Sequence, residues 1–199
     1  MALHNRGLDA PIIRHARKGG LVMGICGGYQ MLGNTLRDPG HVESRVPEVA
    51  GLGLLDMEVT FNPEKRTAQA EGVLKGAPEW LAPLAGTKVE GYEIHSGVNT
   101  FGESARFWMA NGDNDGACNA AGNVLGTYLH GLFDDGVLAD ALVRRARRLR
   151  GLPESPVSAE QAAVNMKAYR EAQFDILAKT VRESLDMERV YAILKGENN

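Results

Sequence analysis

The decisive stretch is Leu21-Val22-Met23-Gly24-Ile25-Cys26-Gly27-Gly28-Tyr29-Gln30-Met31-Leu32. Its first half carries no charge and reads as a short strand, of the kind buried on both faces in a parallel sheet. The glycine pair breaks that strand, and Tyr29 begins a helix. Strand, glycine turn and helix in this order form half of an α/β unit. Cys26 stands at the turn, in Gly24-Ile25-Cys26-Gly27-Gly28, the cysteine counterpart of the G-x-S-x-G elbow. A residue at such a corner is forced into a strained backbone conformation, and small neighbours relieve the resulting clash. The side chain is then exposed above the sheet edge, at a helix N-terminus whose partial positive charge favours thiolate over thiol. The Gly27 N–H would point to where an oxyanion develops. The same pentapeptide also fits a buried, inert cysteine at a glycine-rich turn, so the catalytic reading requires a base.

Five histidines are available. His4, His15 and His41 lie in polar segments and read as surface residues. His130 ends the apolar run Val124-Leu125-Gly126-Thr127-Tyr128-Leu129. A histidine at the end of an apolar strand sits at the sheet rim, where α/β active sites lie. A neutral imidazole there can take a thiol proton and return it to a leaving amine. It also fits an ordinary strand-end histidine. His95, in Gly91-Tyr92-Glu93-Ile94-His95-Ser96-Gly97, is a rival.

Working outward, Ile12 and Ile13 belong to a short N-terminal helix. Leu55, Met57, Val59 and Phe61 alternate in a strand over residues 54–61, and residues 89–98, 106–110 and 123–130 are further strands. Asn111-Gly112 and Asp115-Gly116 are turn dipeptides. Asp135 is placed to cap a helix running to about Arg150, with Leu138, Leu142 and Leu149 on its inner face. Gly151, Pro153 and Pro156 mark a linker. A longer helix then starts near Ser158, with Phe174, Leu177, Val181 and Leu185 at helical spacing, and a last helix starts at Asp186. Arg144, Arg145, Arg147, Arg148 and Arg150 read as a solvated helix face. Cys118 has no base near it in sequence and reads as structural; Trp80 and Trp108 read as core or interface aromatics. The Asp113 and Asp115 spacing does not make a calcium loop.

Composition bounds the function. The chain has 199 residues, 44% hydrophobic and 24% charged, with a net charge of −3. That suits one domain, or one domain with an appendage, whose core needs neither disulfides nor a structural metal. The near-neutral balance argues against nucleic acid or anionic membrane as a bulk partner. With only two cysteines and no C-x-x-C pair, a disulfide framework and a cysteine-rich zinc site are both excluded. A reduced, cytoplasmic setting is expected. The polar N-terminus is no secretory signal, and no apolar run approaches a membrane span.

Taken together, GICGGYQMLG (24–33), GYEIHSG (91–97) and GTYLHGLFD (126–134) resemble class I glutamine amidotransferase domains. More narrowly, they resemble the C-terminal amidotransferase domain of the cobyric acid synthase family, of the cobalamin pathway. FDILAKTVRESLDMERVYAIL (174–194) is similar to that family's terminal helices. The resemblance implies an α/β, flavodoxin-like layered sheet flanked by helices. Residues 1–150 would form the amidotransferase-like domain, lacking its first strands, and residues 151–199 a helical tail packed on it. It makes Cys26 the nucleophile on the glutamine side-chain amide and His130 the general base. Gly27 becomes an oxyanion donor, and Gln30, Tyr92, Glu93, His95 and Ser96 line the glutamine site, with Ser96 replacing a more usual methionine. It further implies that ammonia passes to an ATP-dependent synthetase domain or chain carrying the corrinoid, where four ring carboxylates are amidated.

There are two departures from the class. Leu132 stands where many class members place a glutamate two residues after the histidine, leaving a Cys–His dyad that Asp134 or Glu93 would orient. No G-x-x-x-x-G-K-[ST] phosphate loop occurs, so ATP and Mg²⁺ are expected only in the absent synthetase part, with no cofactor in this chain. The segment supplying the first strands and a second oxyanion donor is also expected to be absent. Three other readings remain open: the glutaminase subunit of lipid II amidation, a non-catalytic amidotransferase-like remnant, and an unrelated cysteine hydrolase.

Overall fold

A computed structural model of the protein describes residues 2–110, 116–134, 136–153 and 166–196. The strand read from residues 21–26 is β1 (Val22–Ile25), which pairs in parallel with β9 (Val124–Thr127). Val22 lies opposite Val124 and Ile25 opposite Thr127. Helix α3 (Gly27–Leu32) follows directly. Two helices precede β1, α1 (Ala2–Asn5) and α2 (Asp9–Arg17), and Ala16 of α2 is buried. The first sheet runs in the order β1-β9-β8-β6, with β8 (Ala117–Cys118) and β6 (Arg106–Phe107) added antiparallel. The expectation that β1 is buried on both faces is corrected. Only Gly24 of the strand is buried, because β1 ends the strand order and its outer edge has no partner among the described residues.

The second sheet runs β3-β2-β4-β5, from β2 (Thr35–Arg37), β3 (Glu48–Ala50), β4 (Met57–Leu74) and β5 (Lys88–Phe101). Leu55, Met57 and Val59 are 2% exposed or less, as their alternation predicts. The strand continues much further than residue 61, into a long antiparallel pair with β5. The register breaks between Phe61, opposite Gly97, and Arg66, opposite His95. Asn62, Pro63, Glu64 and Lys65 thus stand against Ser96 alone, and the bulge bends the pair.

The strand expected at 106–110 proves to be two. β6 lies in the first sheet and β7 (Met109–Ala110) pairs with β4 in the second. Between them Trp108 is fully buried, and its indole N–H donates to the Gly126 carbonyl at 3.1 Å. Its backbone bonds both ways, the N–H donating to the Gly116 carbonyl and the carbonyl accepting the Lys75 N–H, each at 2.8 Å, so the chain passes from one sheet to the other at this residue. The core around Tyr29, Leu32, Met57, Val59, Val124 and Tyr128 fills the space beside α3.

The chain divides into two compact units, Met1–Leu132 with Ala141–Glu154, and Phe133–Asp140 with Ser155–Asn199. Helix α4 spans Val137–Leu149. Its expected inner face is correct at Leu138, which is 1% exposed, but not at Leu149, which is 43% exposed. The second unit contains α5 (Met166–Ser184) and α6 (Met187–Leu194). Asp186 caps α6 as expected, accepting the Arg189 N–H at 3.0 Å. Phe174, Leu177, Val181 and Leu185 of the tail are exposed. The expected cap Asp135, the turn dipeptides at 111–112 and 115, the Asp113 and Asp115 spacing and the helix start near 158 lie outside the described residues.

Candidate active site

The elbow is built as the glycine pattern demands. Cys26 has φ 53° and ψ −115°, a positive φ that non-glycine residues rarely adopt. Its N–H donates to the Thr127 carbonyl at 2.9 Å, continuing the β1–β9 ladder by one step. Its carbonyl accepts the Gln30 N–H at 3.1 Å, which opens α3. A Cβ at Gly24 would stand 2.7 Å from the Gly28 backbone, so the first glycine is required by the close return of the chain. Gly27 is exposed at the first position of α3, where backbone N–H groups lack intrahelical partners.

The Cys26 thiol is half-buried and donates to the Ile94 carbonyl at 3.6 Å. Ile94 belongs to β5, in the second sheet. The same strand holds His130. Tyr92 and His130 exchange backbone hydrogen bonds, His130 N–H to Tyr92 O at 2.8 Å and Tyr92 N–H to His130 O at 3.2 Å. Their rings stack with centroids 4.9 Å apart. Residues two apart on a strand are separated by about 6.6 Å, so one short piece of β5 engages both Cys26 and His130. Gly91 makes this crossing possible, since a Cβ there would lie 1.8 Å from the His130 carbonyl oxygen. His130 Nε2 is buried and has no hydrogen-bond partner.

The other face of β5 carries a second, polar group. Glu93 is 2% exposed and pairs with Arg66, whose Nε lies 2.6 Å from Oε2. His95 Nε2 is 3.8 Å from the same carboxylate, its Nδ1 is 2.8 Å from the Gly97 carbonyl, and its ring stacks on Tyr128 at 3.7 Å. Gln30 is buried and donates from Nε2 to the Tyr128 hydroxyl at 3.3 Å. Tyr128 in turn donates to Asn99 Oδ1 at 2.6 Å. Ser96 is 7% exposed.

The expected residues thus fall into two sets. Cys26, Gly27, His130 and Tyr92 gather at the elbow, while Gln30, Glu93 and His95 gather around Tyr128. Of the two carboxylates expected to orient His130, Glu93 is engaged by Arg66 and Asp134 by Arg170 at 2.8 Å, and no hydrogen bond joins either to the His130 ring among the described residues. His95, which directly follows Ile94, stacks on Tyr128 and has its Nδ1 2.8 Å from the Gly97 carbonyl. Sequence reasoning missed Tyr128 and Asn99, together with Arg66. Tyr128 lay within a motif already quoted; the other two carried no local signal, because only the β4–β5 register brings them in.

Away from this region, Cys118 is 1% exposed, and burial pushes its thiol up to about 11. His4, His15 and His41 are exposed, as read from the sequence. Trp80 donates to the Gly122 carbonyl at 2.7 Å. No group of acidic, histidine or cysteine side chains among the described residues is arranged to hold a metal ion. No described helix is long and apolar enough to cross a membrane.

Comparison with known proteins adds the family. Residues 1–137 match the model of the CobB/CobQ-like glutamine amidotransferase domain. The chain is 42% identical over 199 residues to a cobyric acid synthase of Dehalococcoides mccartyi, covering 96% of this chain and 38% of that protein. It is 41% identical to a cobyric acid synthase of Alkaliphilus metalliredigens, covering 98% of this chain and 40% of that protein. The chain therefore spans about two fifths of the length of these relatives. Among solved structures, PurLQS from Thermotoga maritima aligns with a TM-score of 0.47 at 16% identity, over 81% of this chain and 68% of that one. A glutamine amidotransferase from the same organism aligns with a TM-score of 0.44 at 12% identity, over 87% of this chain and 68% of that one.

Proposed function

This chain belongs to the CobB/CobQ-like glutamine amidotransferase domain family, and from that premise we propose that it releases ammonia from L-glutamine through a thioester on Cys26. The observation that carries the reading is the elbow itself. A positive-φ cysteine ends β1, its thiol faces β5, and the same piece of β5 holds His130 at the end of the neighbouring run.

In this mechanism His130 Nε2, the ring nitrogen without a partner, takes the Cys26 thiol proton. The sulfur attacks the side-chain amide carbon of glutamine, and the Gly27 N–H donates to the oxyanion that forms. The carbon–nitrogen bond then breaks as the imidazolium returns its proton to the leaving nitrogen, releasing ammonia. Water, deprotonated by the same imidazole, hydrolyses the γ-glutamyl thioester to glutamate and restores the thiol. Gln30 and the β5 residues Tyr92, Glu93, His95 and Ser96 shape the glutamine site. Tyr92 acts through its stack on the His130 ring, which restricts the imidazole to one plane.

The ammonia serves an ATP-dependent synthetase part that activates corrin-ring carboxylates for amidation. The supporting observation is the naming of the relatives as cobyric acid synthases, of which this chain spans about two fifths. ATP and its metal belong to that part.

The test is ammonia release from L-glutamine by the purified chain beside Cys26→Ala, alone and with the synthetase part of a relative added. Release abolished by the substitution is expected. Release that survives it, or a folded chain inert under both conditions, would overturn the proposal.

A further inference from the structure

An imidazole that moves a proton must be held in one orientation, because the torsion that turns its ring is broad when nothing restrains it. A carboxylate commonly does this by accepting a hydrogen bond from the ring. Among the described residues no such bond reaches His130. Leu132 stands two positions after it, Glu93 and Asp134 are paired with Arg66 and Arg170, and the buried Nε2 has no hydrogen-bond partner.

Tyr92 covers one face of the same ring. The centroids are 4.9 Å apart and the planes 6° from parallel, within the offset-stacked geometry that aromatic pairs prefer. The backbone builds this stack. Tyr92 and His130 exchange both N–H···O bonds across an isolated antiparallel bridge, at 2.8 and 3.2 Å. Residues directly opposite in such a pair send their side chains to the same face. Core packing does not account for the tyrosine, which is 44% exposed. Its hydroxyl makes no hydrogen bond among the described residues. What the structure uses is the face of the ring. A stack occupies a face of the imidazole and neither nitrogen, so it restrains the plane and leaves Nε2 open to a proton. Two residues further along β5, the Ile94 carbonyl accepts from the Cys26 thiol, so one short piece of strand holds both groups.

We propose that the Tyr92 ring is a positioning group that replaces the orienting carboxylate, holding the His130 imidazole in one plane for proton transfer. Tyr92 then acts through the base rather than by contact with glutamine, and its hydroxyl is dispensable. The inference rests on the reading of His130 as the general base.

Two measurements on the whole chain test it. The first is independent of turnover. In ¹H–¹³C spectra the His130 ring protons should lie upfield, shielded by the tyrosine ring. Tyr92→Leu should move them downfield and Tyr92→Phe should restore them, while the His130 amide stays protected from exchange in both, showing that the bridge persists. The second is steady-state ammonia release from L-glutamine, under whichever of the two conditions above supports it. Tyr92→Leu should lower kcat about tenfold or more and change KM by less than about twofold, since an oriented base acts in the transition state. Tyr92→Phe should restore kcat.

A raised KM with kcat unchanged would make Tyr92 a glutamine contact and overturn the proposal. So would an unchanged kcat in Tyr92→Leu, a failure of Tyr92→Phe to restore it, or loss of His130 amide protection in Tyr92→Leu, which would assign the fall to the bridge. Unshielded His130 protons in an active wild type overturn it alone. A wild type that releases no ammonia under either condition removes the glutaminase reading and this role with it.

Discussion

At the scale of single residues, the two cysteines of this chain have opposite fates set by backbone and burial. Cys26 occupies a positive-φ corner, half-buried, with its thiol donating to a main-chain carbonyl. Cys118 is enclosed in the first sheet at 1% exposure, with its thiol pushed up to about 11 by burial. The thiolate is the reactive form, so mild alkylation of the folded chain at neutral pH should modify Cys26 and spare Cys118 until the protein unfolds. Peptide mapping by mass spectrometry reads the result directly, and equal labelling of both would contradict this account. The pentapeptide made Cys26 legible without a structure, because the elbow constrains residue types over five consecutive positions. Asn99 was not legible, since its hydrogen bond comes from a hydroxyl contributed by residue 128.

At the scale of elements, β5 decides the site. It pairs with β4 along its length and reaches to the rim of the other sheet at Tyr92 and Ile94. Alternation along the strand then sorts its side chains, Tyr92 and Ile94 to one face, Glu93 and His95 to the other. The crossing with His130 depends on Gly91. Gly91→Ala should displace the Tyr92–His130 bridge, since its methyl carbon would fall 1.8 Å from the His130 carbonyl oxygen. We expect ammonia release to fall by about 10²-fold or more, in line with misplacement of a catalytic base by about 1 Å, while circular dichroism retains its helical signal. Retained activity in a folded variant would show that the bridge does not position the base. The sequence marked residues 91–97 as a motif but assigned its histidine as a possible base. Only pairing partners distinguish a histidine stacked on Tyr128 from one whose Nε2 is left free.

At the scale of the whole molecule, acid stability follows from carboxylates whose folded-state pKa lies below the usual range. Burial by itself raises that of Asp38, but N–H groups of Val42, Glu43 and Ser44, at 2.7–2.8 Å, more than offset it and hold it low. The Ser104 hydroxyl and N–H lower that of Asp56, and the Arg37 guanidinium lowers that of Glu58. A depressed carboxylate stabilises the fold fully above its unfolded value, near pH 4 for Asp, and the contribution is lost as pH falls through the folded value. The thermal midpoint should therefore be level from about pH 7 to 5 and decline below about pH 4. Asp38→Asn should be less stable at neutral pH and approach the wild type in acid. A wild-type midpoint that holds steady down to pH 2.5 would refute this.

What the sequence determined by itself is what short-range sterics determine: a strand, glycine turn and helix around Cys26, the alternation of Leu55, Met57 and Val59, and the cap at Asp186. Each depends on residues within a few positions of one another, so the chain states them locally. The tertiary structure decided the rest. It divided residues 106–110 between two sheets, with Trp108 buried at the crossing, and it placed β1 at the end of its sheet among the described residues. It turned Glu93 to Arg66 rather than to His130, and joined Gln30, Tyr128 and Asn99 into one chain of hydrogen bonds. Those outcomes depend on strand register and the β4 bulge, where a slip of one residue reverses every side chain, and no local pattern in the sequence specifies them.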